Sequence, residues 1–199
     1  MKHNTLLAGL IGVAAVATGV AAWAIQSRTV ASSESKAPPP AYEDADALLQ
    51  KGILQDQNHD PKAAARSYQR ALDLEPDNKF AWFNLGVVAQ EVGNTDDARA
   101  AYERSLRIDP AFPPALFNEA LLFETSAPDR AVALLERATD ADPKAATAHL
   151  HLGRIWARKE DADKAAVAFR RAVAIDPSLI NEVPEEFRDS ASPGPESRD

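Results

Sequence analysis

The chain has 199 residues, 45% hydrophobic and 26% charged, the composition of an ordinary globular domain with room for extra segments. It has no Cys, which excludes disulfides, thiolate metal sites, c-type haem attachment and a Cys nucleophile. The net charge is −8. Residues 1–40 carry +2 (Lys2, Arg28 and Lys36 against Glu34), which leaves −10 for the rest and argues against nucleic acid, whose binding needs clustered Lys and Arg.

The first element is TLLAGLIGVAAVATGVAAWAI, residues 5–25, which contains no charge. As a helix it would extend about 31 Å, close to the roughly 30 Å of a bilayer's hydrocarbon core. Trp23 lies at the far end, where an interfacial aromatic belongs, and Lys2 precedes the segment. The charge bias favours an N-terminus inside and a body outside the cytoplasm. The competing reading is a secretory signal cleaved near Ala24, because Ala22-Trp23-Ala24 resembles a small-residue cleavage site. Residues 1–28 are thus a transmembrane anchor or signal segment. Residues 29–42, rich in Ser, Ala and Pro, read as an extended tether.

From residue 43 the chain repeats. Glu75-Pro76, Asp109-Pro110, Asp142-Pro143 and Asp176-Pro177 are spaced by 34, 33 and 34 residues. A fixed period of this size marks a helical solenoid, and each Pro marks the end of a helix. The units are 43–76, 77–110, 111–143 and 144–177, followed by a short cap and acidic tail at 178–199.

The second unit carries Trp82, Leu85 and Gly86 on a first helix, Gly93 at a turn, Ala98, Tyr102 and Ser105 on a second, and then Pro110. The fourth matches with Leu152, Gly153, Trp156, Ala165, Phe169, Ala172 and Pro177. The third matches with Leu116, Ala120, Phe123, Ala131, Leu135, Ala138 and Pro143, and its period of 33 reads as a lost turn residue. The first is weaker, with Lys51 and Gln55 where apolar residues are usual. This pattern resembles the tetratricopeptide repeat. The resemblance implies an all-α fold, a right-handed solenoid of four helix-turn-helix repeats.

At about 100° per residue the helix around residue 84 has two apolar faces. Trp82, Leu85, Gly86 and Ala89 form one, Phe80, Phe83 and Val87 the other, and Asn84 borders the second. The resemblance places this second face along an inner groove lined by Leu49, Ile53, Phe80, Phe83, Val87, Phe117, Leu121 and Leu150. The position of Asn84 is held in turn by Gln50, Asn84, Asn118 and His151. Such a ladder of side-chain amides can hydrogen-bond the backbone of an extended peptide, as in the similar repeats of protein N-acetylglucosaminyltransferases, or can serve only repeat-to-repeat packing. In the fourth unit His151, Arg154 and Arg158 share a helix face and form a basic spot. It is suited to a carboxylate, or else neutralised by nearby Glu160 or Asp161. The carboxylate clamp of chaperone-binding repeats is not reproduced, since Leu49, Ile53, Pro114 and Asn118 stand at its positions.

No phosphate loop, nucleophile elbow or HExxH motif appears, and His149 and His151 lie about 200° apart on their helix. The sequence therefore points to a non-catalytic scaffold with no cofactor and no metal. Its partner is a protein or peptide, with the membrane reached through residues 5–25. The layout resembles small anchored repeat proteins of bacterial envelopes, with the body on the periplasmic side of the inner membrane. Alternatives are a self-assembling array, making a homo-oligomer, and an accessory subunit of a cytochrome c haem-ligation or other envelope assembly complex. A cap formed by Leu179, Ile180, Val183 and Phe187 decides whether the last repeat is left open.

Overall fold

A computed structural model describes residues 43–192. The residues read as a membrane or signal segment, those read as a tether, and the tail from residue 193 lie outside these residues. The described residues are four helix pairs and a cap: α1 (Ala45–Gln57) with α2 (Pro61–Leu74), α3 (Lys79–Glu91) with α4 (Thr95–Ile108), α5 (Pro113–Phe123) with α6 (Pro128–Ala141), and α7 (Ala146–Arg158) with α8 (Ala162–Ile175). A 3-10 turn, Pro177–Glu182, leads into α9 (Glu185–Ala191). Among the described residues no helix is long and apolar enough to cross a membrane.

Helix starts follow local chemistry. The side chains of Asp44, Asp60, Asn78, Asn94 and Asp161 accept from the third backbone N–H beyond them, satisfying donors that a helix leaves orphaned. Pro opens α2, α5 and α6, where the missing N–H is not needed. In repeats one, two and four the turn between helices is three residues with a left-handed centre: His59 (φ 59°), Gly93 (φ 78°) and Glu160 (φ 60°). The third repeat departs from the expectation of a shortened turn. Its first helix has 11 residues instead of 13, and the connection Glu124–Ala127 is longer and contains no left-handed residue. The missing residue is taken from the helix, which leaves Glu124 just past its end.

Each helix packs on its neighbours in sequence, and α3 also touches α1 and α5. The second helices make no comparable contact with one another, so the first helices crowd one side of the stack while the second helices splay on the other. In repeats one, two and four an aromatic ring of the second helix lies against a glycine of the first: Tyr68 on Gly52, Tyr102 on Gly86 and Phe169 on Gly153. All three rings are fully buried. Polar residues that looked out of place in the first repeat are engaged. Lys51 pairs with Glu43 at 2.6 Å, and Ser67 donates to Gln55 Oε1 at 2.6 Å.

The C-terminal end of the stack is closed. Leu179, Val183 and Ala191 are buried against Leu150, Phe169 and Val173, and the Phe187 ring sits 5.2 Å from that of Phe169. α9 runs through Asp189 to Ala191. At the other end, Asp46, Gln50 and Lys51 lie exposed on α1, with Leu54 the large apolar residue among them. Replacing Val183 and Phe187 together by Ala should remove about 3 kcal/mol of stability, at roughly 1.5 kcal/mol or more per buried side chain. Urea denaturation checks this, and an unchanged midpoint would mean the cap is ornamental.

Candidate protein-binding groove

The face built by α1, α3, α5 and α7 holds most of the groove residues named from sequence. Phe80 is 37% exposed at the start of α3. Behind it lies Phe112, the residue capping α5, with ring centroids 5.5 Å apart and planes nearly perpendicular. Phe83 meets Phe112 in the same edge-on manner at 5.5 Å, and its centroid is 5.9 Å from that of Tyr102. The Lys79 ammonium lies over both Phe80 and Phe112, at 5.1 and 4.9 Å, while paired with Asp109. The result is a small aromatic platform with a cation at its rim. Ile53, Val87, Phe117 and Leu121 are half-buried beside it, and Gln50 is exposed.

Two of the expected lining residues do not line it. Leu150 is 1% exposed, enclosed beneath the cap. Leu49 is 8% exposed and belongs to the core of the first two repeats. Helical angle assigns a side, but the depth depends on what covers it.

The amide ladder is uneven. Asn84 Nδ2 donates to the Phe80 carbonyl at 2.9 Å, one turn back on its own helix. Asn118 instead reaches the Tyr102 hydroxyl of the preceding repeat. Burial pushes that phenol above its ordinary range, and the Asn118 contact works against the rise. Tyr102 donates to Gln90 Oε1 at 2.8 Å.

The basic spot is occupied from within. His151 Nδ1 lies 2.8 Å from Glu124 Oε2, and the Arg158 guanidinium donates to Glu124 Oε1 at 3.1 Å and to its carbonyl at 3.0 Å. The Phe117 ring stands edge-on to His151 at 5.4 Å. Burial alone would raise Glu124, but the hydrogen bond from His151 and then the Arg158 contacts hold its carboxyl below the usual range. Arg154 faces the cap and pairs with Glu182 at 2.9 Å. The neutralising acids are Glu124 and Glu182, not Glu160 or Asp161. No sequence signal marked Glu124, because only the shortened α5 puts it there.

His149 does not share surroundings with His151. Its Nε2 is buried without a partner, and burial, then Arg171, lower its pKa. Sequence reasoning also missed Phe112, which stands in the turn before Pro113-Pro114, outside any helical periodicity.

A solenoid of helix pairs with an aromatic strip on its first-helix face defines a repeat-type interaction module. The family model described as tetratricopeptide repeat matches residues 49–113 and 120–180, more than half of the chain. The chain belongs to the tetratricopeptide repeat family, whose repeats serve generally as protein–protein interaction modules. It is 25% identical over 135 residues to the human protein O-mannosyl-transferase TMTC3, a match that spans 65% of this chain and 15% of that protein. Among solved structures, the MamA protein aligns with TM-score 0.63 and 23% identity over 75% of this chain and 86% of that one. An O-GlcNAc transferase mutant from Thermobaculum terrenum aligns with TM-score 0.59 and 23% identity over 65% and 26% of the two chains. These likenesses to solved structures concern the fold.

Proposed function

We propose that the protein is a non-catalytic scaffold that holds an extended segment of a partner protein on its first-helix face, anchored at Phe80. The observation that carries this reading is Phe80 itself: a half-open aromatic backed by Phe112 and Phe83, beside Asn84 and under the Lys79 ammonium. An apolar side chain docking there meets a rigid surface, and the adjacent amide can satisfy one polar group of its backbone. Asn118 lies beside the Tyr102 hydroxyl, whereas Asn84 stands next to Phe80, so Asn84 is the ladder residue assigned to the ligand. Residues 5–25 would tether this body outside the cytoplasm, facing an envelope partner. Protection of the body from external protease in permeabilised outer layers would contradict that placement. The self-assembling alternative has less support, since the cap covers one end of the stack and polar residues face outward at the other.

Photo-crosslinking tests the groove. A benzophenone side chain at position 80 should give a partner adduct in the membrane fraction, and one at exposed Val167 on α8 should not. Equal yields would sink the reading. With the captured partner in hand, Asn84→Ala should weaken binding about ten-fold, the ~1.4 kcal/mol of one well-placed hydrogen bond. Asn118→Ala, away from the Phe80 platform, should leave affinity alone.

A further inference from the structure

One opening among the described residues lies away from the first-helix face. It is a space of about 620 Å³ between α2 and α4, floored by Trp82, Leu85 and Ala89 of α3, with Val92 (61% exposed) at its mouth. Its openness has a local cause. The residue three positions after Gly86 is Ala89. At the same place the third repeat has Phe123, three after Ala120, and the fourth has Trp156, three after Gly153. Each of those aromatics is covered by a cation of its own second helix: Arg130 lies 3.9 Å from the Phe123 ring and Lys164 4.0 Å from the Trp156 ring. In the second repeat the aromatic is missing and the space remains.

The rim has its own charge pattern. Lys62, Arg104 and Arg107 line the opening, and none pairs with a carboxylate among the described residues. The rim acids are both engaged, Asp97 with the Asn94 amide at 2.5 Å and Glu103 with Arg130 at 3.2 Å. In a chain of net charge −8, three unpaired cations around one apolar floor form a local positive field. Arg104 also sits 5.8 Å from the Trp82 ring, so a cation borders the apolar floor, although the place that Arg130 and Lys164 hold on their helices is taken here by Asp97.

We infer that this groove is a second docking site, for an acidic peptide segment that inserts one aromatic side chain beside Ala89. The ligand supplies from outside the ring that the third and fourth repeats supply from within, and its carboxylates meet Lys62, Arg104 and Arg107. This inference does not depend on the first-helix groove.

The test is a fluorescence-anisotropy titration of full-length protein in detergent with a fluorescein-labelled hexapeptide of Asp and Glu around one Phe. Binding that weakens with salt is expected, with at least a ten-fold loss when the peptide's Phe is replaced by Ala. Ala89→Trp should fill the space, as Trp156 does in its own repeat, and weaken binding ten-fold or more with the circular dichroism spectrum and Tm preserved. Arg104→Glu with Arg107→Glu gives the same loss by charge alone and decides the matter if the filled variant misfolds. Phe83→Ser, on the first-helix face, should leave binding unchanged. The inference is overturned by absent binding, by equal binding of a Lys/Arg hexapeptide, by retention in the charge-reversed variant, or by loss in Phe83→Ser. Self-association of the protein that Ala89→Trp abolishes would make a second copy the occupant and overturn it as well.

Discussion

Phe169→Ala is expected to remove about 3–5 kcal/mol of stability, the range for truncating a fully enclosed aromatic. For a domain of this size that lowers Tm by roughly 10 °C. The ring is wedged between two elements: the Gly153 backbone on one side and Phe187 of the cap on the other. The converse change probes the same fit. A Cβ on Gly153 would stand 2.5 Å from both Cδ1 and Cε1 of that ring, which has no solvent-facing side to retreat toward. Alanine improves helix propensity by about 1 kcal/mol over glycine, but overpacking a closed site costs about 1–3 kcal/mol or more. Gly153→Ala is therefore expected to lose about 1–2 kcal/mol, the overpacking penalty outweighing the propensity gain. Combining it with Phe169→Leu, whose narrower side chain vacates the contact, should give a loss smaller than the sum by about 1 kcal/mol or more. Thermal melts of the four variants decide it; strict additivity would mean glycine and ring are not a fitted pair.

That pair was legible in the sequence, because a glycine and an aromatic recur 16 residues apart in the first, second and fourth units, and an offset within one helix pair is local information. So were the helix pairs themselves, since each Asp-Pro or Glu-Pro ends a second helix by a mechanism confined to two residues. What the sequence hid depended on distances between units. Asn84 and Asn118 occupy the same helical position, yet one bonds its own helix and the other lies beside the Tyr102 hydroxyl. The preceding repeat offers a different residue set to each: Gln90 already holds the Tyr102 hydroxyl, whereas Asp56 stands at the corresponding place beside Tyr68. Glu124 could not be foreseen because its role follows from two residues dropped from the end of α5. Leu150 was assigned to the groove by angle alone, and the cap that buries it is built from residues nearly 30 positions later. Periodicity locates a face. It does not say what the neighbouring unit puts on top of it.

Glu119 shows the same limit and gives the second large effect. It stands where the second and fourth repeats have Leu85 and Leu152, and it is 3% exposed. Arg130 of α6 reaches it at 2.6 Å and bridges to Glu103 of α4 at 3.2 Å, so an acid at an apolar position is held by a cation from the partner helix. Burial raises the Glu119 pKa above the ordinary glutamate value, and the Arg130 hydrogen bond and charge offset part of the rise. A pKa raised on folding means the folded state favours the protonated form. This group's contribution to stability is then complete below the ordinary glutamate range and is lost as pH climbs through the folded value. Arg130→Ala leaves the carboxylate enclosed without its cation. The loss expected at pH 7 is about 2–3 kcal/mol, below the usual 3–5 for a fully buried pair because the Arg130 side chain is 44% exposed. At pH 4, where Glu119 takes up a proton, most of that loss should disappear. Glu119→Leu restores the residue of the neighbouring repeats and should be neutral or stabilising by about 1 kcal/mol, since a well-packed apolar side chain needs no ion partner. On that background Arg130→Ala should cost only the contact with the Phe123 ring, about 0.5–1 kcal/mol at any pH. Urea denaturation of the four proteins at pH 4 and pH 7 separates the terms. A loss for Arg130→Ala that is equal at both pH values, or that persists in full beside Leu at position 119, would mean that Arg130 acts through packing rather than by holding a buried charge.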